Sequence, residues 1–163
     1  MFNASEEWLA AYYLRTGLRP PTDGAPVAKD GGEPRRGQPP VHAGGEASEE
    51  EEQIMLFTWA AYACGSWPEL LRLFHIPNGG HRTAAEAGRF RAMGVKPGVP
   101  DVFLPVPRGG YNGLFIELKR RDGGTLSDDQ REWLDFLSLQ GYRAVMRHGW
   151  EAARDELIEY LGR

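Results

Sequence analysis

Two short apolar runs in the middle of the chain carry charge where a buried strand should not. Asp101 opens "DVFLPV" (101–106), and Glu117 and Lys119 close "GLFIELK" (113–119). Side chains alternate along a strand, so Glu117 and Lys119 share one face while Leu118 points away. The intervening "PRGGY" (107–111) suits a hairpin loop. If Val106 lies opposite Asn112, Asp101 lies opposite Glu117, and the two carboxylates stand side by side at one end of the hairpin. A slip of one residue would break that constellation. Two ionised carboxylates held together repel unless a proton or a cation intervenes. A hard divalent ion such as Mg²⁺ or Mn²⁺ takes oxygen ligands, and Asp101 and Glu117 supply two. The backbone carbonyl of Leu118 could add a third, leaving room for water and a phosphate oxygen. Lys119 would stand beside that water, able to orient or deprotonate it and to steady developing negative charge. These are the parts of a phosphodiester hydrolase. The plainer alternative is an ion pair between Lys119 and an acid at a sheet edge, worth little energy.

The elements that must position these groups are legible around them. "SEEEEQIMLFTWAAYACG" (48–65) fits a helix with Ser48 as N-cap and acids in its first turn, favoured by the macrodipole. Leu56, Trp59 and Ala60 face a core on that reading. "LLRLFHIPN" (70–78) reads as a strand running into a loop. In "HRTAAEAGRFRAMG", Thr83 and Glu86 make a capping box and Gly94 is the stop. "SDDQREWLDFLSLQG" (127–141) is a helix with a Ser127–Gln130 capping box, stopped at Gly141. "YRAVMRH" (142–148) is a strand and "WEAARDELIEYL" (150–161) a closing amphipathic helix. Trp133, Phe136 and Trp150 are assigned to the core. The order of elements predicts an α/β domain with a mixed central sheet flanked by helices.

Three segments are expected: a short N-terminal helix (1–17), a flexible Pro/Gly-rich linker (18–45) and a folded domain (46–163). The whole chain has 163 residues and a net charge of −4, which looks wrong for a partner of nucleic acid. Its distribution matters more. Residues 72–121 hold nine basic and three acidic side chains, a net charge of +6. The single cysteine, Cys64, excludes a disulfide framework and a cysteine-based zinc site within one chain. No nucleophile elbow appears, which sets aside serine hydrolase chemistry. No apolar run approaches a bilayer span, so the expected location is cytoplasmic, with no membrane partner.

Pro100-Asp101 followed by Glu117-Leu118-Lys119 resembles the PD-(D/E)xK nuclease signature. The wider text "HIPNGGHR" (75–82), "GVKPGVPDVFLP" (94–105), "GLFIELKR" (113–120) and the Gln130 helix, in that order, resembles the VRR-NUC family of virus-type replication-repair nucleases. The likeness is to small stand-alone phage and prophage members, and spans roughly residues 46–161. The resemblance implies a restriction-endonuclease-like core and metal-dependent DNA cleavage in a bacterial or phage-infected cell. It also implies a homodimer acting on branched DNA such as Holliday junctions or flaps. By position, Asp101 and Glu117 become metal ligands, with the Leu118 carbonyl beside them, and Lys119 the catalytic lysine. A glutamate on the first core helix joins the site: Glu49, which follows Ser48 and lies one turn before Gln53, or its rival Glu52. Gln130 matches a family glutamine, although its capping box also accounts for it. His75, Asn78, Arg82 and Arg120 are candidate DNA contacts, with Gly79 and Gly80 allowing close approach of the backbone. For His75 a satisfied histidine at a strand end is the plainer reading. The alternative function is a DNA-binding module that keeps the nuclease fold without activity.

Overall fold

A computed structural model of the chain describes residues 47–77 and 84–162. The N-terminal helix, the linker and the residues Asn78 to Thr83, with Arg82 among them, lie outside the described residues. Helix α1 (Glu49–Ala63) leads through a short 3₁₀ helix (Pro68–Arg72) into strand β1 (Phe74–His75). Helix α2 (Ala84–Ala92), strands β2 (Val102–Leu104) and β3 (Leu114–Lys119), helix α3 (Asp128–Leu139), strand β4 (Arg143–His148) and helix α4 (Gly149–Leu161) follow.

The sheet has four strands in the order β1-β2-β3-β4. β1 and β2 are antiparallel, as are β2 and β3, whereas β3 and β4 run parallel through the α3 crossover. The β2–β3 register pairs Val102 with Ile116, Phe103 with Phe115 and Leu104 with Leu114. Continued by one residue, it sets Asp101 opposite Glu117, as the hairpin spacing predicts. β3 is buried along its whole length, as a central strand covered on both faces must be.

Its alternation divides the molecule. Leu114, Ile116 and Leu118 join Val102 and Leu104 in the main core, packed under Leu56, Trp59 and Ala60 of α1 and Trp150, Ala153, Leu157 and Tyr160 of α4. Phe115, Glu117 and Lys119 face the other way, toward α3. Truncating a fully buried core residue such as Leu56 or Leu157 would cost about 2–5 kcal/mol.

Both helices that border the chemistry start with full capping boxes, Ser48 with Glu51 and Ser127 with Gln130. Each satisfies two amide groups that the helix leaves open, so these ends are fixed in place. Gly141 ends α3 at φ +81°, as expected of its stop.

Several expectations are corrected. "LLRLFHIPN" is not one strand: Pro68 starts a 3₁₀ turn that takes up Leu70, Leu71 and Arg72, leaving a two-residue β1. β2 is three residues long rather than six, because Pro105 and Pro107 lack the N–H a ladder needs. Phe136 is 51% exposed, not core, and Trp133 is only half-buried, its indole donating to the Pro97 carbonyl at 3.0 Å. Trp150 is buried as expected.

Candidate active site

The approach to Asp101 is set by a loop that only glycine permits. Gly98 has φ +78°, and a Cβ there would lie 2.6 Å from the Asp129 backbone carbon. The loop therefore packs against the first turn of α3, held also by the Trp133–Pro97 bond. Asp101 emerges from it at the head of β2. Its carbonyl accepts the Ile76 amide at 2.7 Å, and its Oδ2 accepts the Leu118 amide at 3.0 Å. The carboxylate thus reaches across to β3 at the point where Glu117 and Lys119 leave the opposite side of the strand backbone from Leu118.

Glu117 is 1% exposed. Its Oε1 accepts the Lys119 ammonium at 2.7 Å and the side-chain amide of Gln130. Its Oε2 is buried with no hydrogen-bond partner. Gln130 makes the capping bond and one more: its Oε1 accepts the Ser127 amide at 2.9 Å, while its Nε2 donates to Glu117. The cap therefore aims the amide at the carboxylate. Spacing within α3 could not reveal this second bond, because its partner lies on another element.

Electrostatics follow from burial. Desolvation raises the Asp101 carboxyl above its ordinary value, against the Leu118 N–H bond and the Lys119 charge. Desolvation, then the neighbouring Asp101 charge, pushes Glu117 up to about 7 despite Lys119. For Lys119, burial works against its charge, but the Glu117 hydrogen bond and the surrounding acids outweigh that and raise it. The site thus holds more negative charge than one lysine settles.

The two candidate glutamates of α1 part company. Glu49 is half in solvent and its Oε1 lies 3.6 Å from the Lys119 ammonium, beside the carboxylates. Glu52, one turn on, is 1% exposed and turns elsewhere. Its Oε2 accepts the Trp150 amide at 2.8 Å, capping the start of α4, and its Oε1 lies 3.8 Å from Arg121 Nε. His75 is exposed and its Nδ1 lies 2.9 Å from the Asp101 carbonyl, the satisfied strand-end histidine of the plainer reading. Arg120 is exposed next to Lys119, with no ion pair among the described residues. Asn78 and Arg82 cannot be placed, since both lie outside the described residues.

The residues present fit a divalent ion. Glu117 Oε2 is a buried carboxylate oxygen without a donor, and the charges of Asp101 and Glu49 stand near it. Among the described residues no three His, Cys, Asp or Glu side chains gather as a metal cage.

A mixed sheet with helices on both faces, and acids and a lysine meeting at the strand ends, defines an α/β domain with a restriction-endonuclease-like core. The chain belongs to the VRR-NUC family: the model of the VRR-NUC domain matches residues 34–150. A solved structure described as a VRR_NUC domain protein superposes with a TM-score of 0.62 at 28% identity, covering 72% of this chain and 91% of that one. No curated protein matches the chain. Family membership implies a nuclease-type function in DNA processing. No described helix is long and apolar enough to cross a membrane.

Proposed function

We propose that the chain is a Mg²⁺- or Mn²⁺-dependent DNA endonuclease that hydrolyses phosphodiester bonds in branched DNA and acts as a homodimer. The observation that carries this reading is the buried, unpartnered Oε2 of Glu117 set beside Asp101. Asp101, Glu117 and the Leu118 carbonyl would hold the ion. Bound there, it would neutralise a phosphate oxygen and acidify a water. Lys119 lies within reach of the same space, where its ammonium orients that water and balances charge building on the phosphate. Gln130 and Lys119 both donate to Glu117 Oε1, which leaves Oε2 as the oxygen free to bind. Glu49 flanks Lys119 and can hold its charge or relay a proton. Arg120 and the basic segment around it would take the backbone of the bound strand. A two-fold dimer would present equivalent sites to two strands of a junction.

The test is cleavage of a labelled four-way junction beside a matching linear duplex, by the parent and Asp101→Ala, with Mg²⁺, with Mn²⁺ and with EDTA. Metal-dependent cutting of the junction, lost in the variant, is the expected result. Equal cutting of both DNAs would remove the branched preference. Silence from a folded protein that still binds DNA would make it a binding module instead.

A further inference from the structure

The sheet face that carries the carboxylates also carries a row of aromatic rings that the hydrolysis leaves unused. Phe74 is the register partner of Phe103, and Phe103 of Phe115. Phe103 and Phe115 stack with centroids 4.0 Å apart and planes 11° apart. Tyr142 stands edge-on, 5.3 Å from Phe115 and 6.0 Å from Phe103. Phe74 meets Phe103 edge-on at 5.6 Å. The row sits two residues along the strands from the acids, Phe103 from Asp101 and Phe115 from Glu117, a rise of about 6.6 Å. Phe74 is the diagonal cross-strand neighbour of Asp101, a relation that separates residues by about 7–8 Å, somewhat less between their Cβ atoms.

The row is closed at one end and open at the other. Phe115 is 9% exposed, whereas Phe74, on the edge strand, is 46% exposed. A lone exposed phenylalanine needs no explanation. This one is backed by a fixed stack and stands one strand from a carboxylate that the nuclease reading assigns to phosphate chemistry. The segment from Arg72 to Arg121, which supplies Asp101, Glu117 and Lys119, carries a net charge of +6 in sequence, and Arg120 within it stands exposed beside Lys119, where it attracts a DNA backbone.

We propose that Phe74, backed by Phe103, stacks on an unpaired base of the DNA strand whose phosphate enters the Asp101–Glu117 site. The proposal rests on the nuclease reading of that site and names what it selects. Bases inside an intact duplex already stack on each other, and taking one out costs a few kcal/mol. A base at a gap, flap or junction is free to cover a ring. Every base offers a π-face, so the contact is tolerant of sequence and sensitive to strand pairing.

The test is binding in EDTA, where no cutting occurs, of the full chain to a duplex with a short single-stranded gap and to the same duplex without it. The gapped DNA carries 2-aminopurine in the gap. Expected for Phe74→Ala is a loss of gap-over-duplex preference on the order of ten-fold, with loss of the 2-aminopurine quenching, and recovery of both in Phe74→Trp. Equal losses on the two DNAs, no loss, or no DNA binding by the parent would overturn the proposal. So would a change of oligomeric state in Phe74→Ala by sedimentation, which would give the ring to a second copy of the chain. Cleavage of the gapped DNA is followed separately in Mg²⁺. Absent cleavage with intact gap preference would sink the hydrolase reading and leave the platform standing.

Discussion

Glu117 carries the pH behaviour expected of the site. Its folded-state value of about 7 lies above the ordinary 4.5, because burial and Asp101 oppose its charge. The native state therefore keeps a proton that the unfolded chain has already lost between those values. The stability this group contributes is fully present below pH 4.5 and is lost as pH rises through about 7. Urea unfolding in EDTA should show that fall, Glu117→Gln should flatten it, and Mg²⁺ should offset it at pH 8 but not at pH 5. A metal ion that competes with the proton must bind more weakly as pH drops. Lys119→Ala should fold and bind DNA but cleave roughly 100-fold more slowly or worse, as loss of a positioned acid–base group does. Cleavage at the parental rate would refute the role given to the lysine. At this scale Asp101, Glu117 and Lys119 were legible, since strand alternation and a two-residue spacing decide which side chains meet. The assignment of Glu52 was not. Its partner, the Trp150 amide, is 98 positions away, and spacing within one helix carries no trace of it.

The site depends on where α1, α3 and the loop before β2 stop and start. Gly98 is the sharpest case, with a positive φ and no room for a Cβ against Asp129. Gly98→Ala should lower the melting temperature and cut the cleavage rate together, because relief requires the loop carrying Asp101 to move away from α3. Melting and single-turnover rates measured on the same variant check this. α4 is tied to β4 by a buried ion triad: Glu156, 3% exposed, accepts from both Arg143 and Arg147. Burial alone would raise the Glu156 carboxyl, yet the two guanidinium groups hold it below its ordinary value. Glu156→Ala would leave Arg147 without its acid and Arg143 with only Glu159 at 3.6 Å, and should lower stability measurably by urea titration. The element order was legible from caps, stops and periodicity. The short strands were not, because propensity cannot say how far a ladder extends once prolines remove its donors. Phe136 was misplaced for a related reason. Apolar residues of α3 outnumber the positions its two buried leucines, Leu134 and Leu137, need to fill.

At the scale of the whole molecule, the sheet sorts its two faces by task. One face is apolar and holds α1 and α4, and the other brings the aromatic row, the carboxylates and the start of α3 together. The strand ends collect groups from four elements, Glu49 from α1, Asp101 from the head of β2, Glu117 and Lys119 from β3 and Gln130 from α3. No single stretch of sequence contains the site, which is why its members showed as separate motifs and its geometry only as an inferred register. That register held because the loop between β2 and β3 leaves one pairing that buries Val102, Leu104, Leu114 and Ile116 together. The central claim is that this convergence is a divalent-cation site. The most direct measurement is a titration of the full chain with Mn²⁺ at pH 8, following free Mn²⁺ by its paramagnetic resonance signal. The account predicts saturable binding that is lost in Asp101→Ala and in Glu117→Ala and kept in Glu52→Gln. Undiminished binding in the two carboxylate variants, or none in the parent, would contradict it.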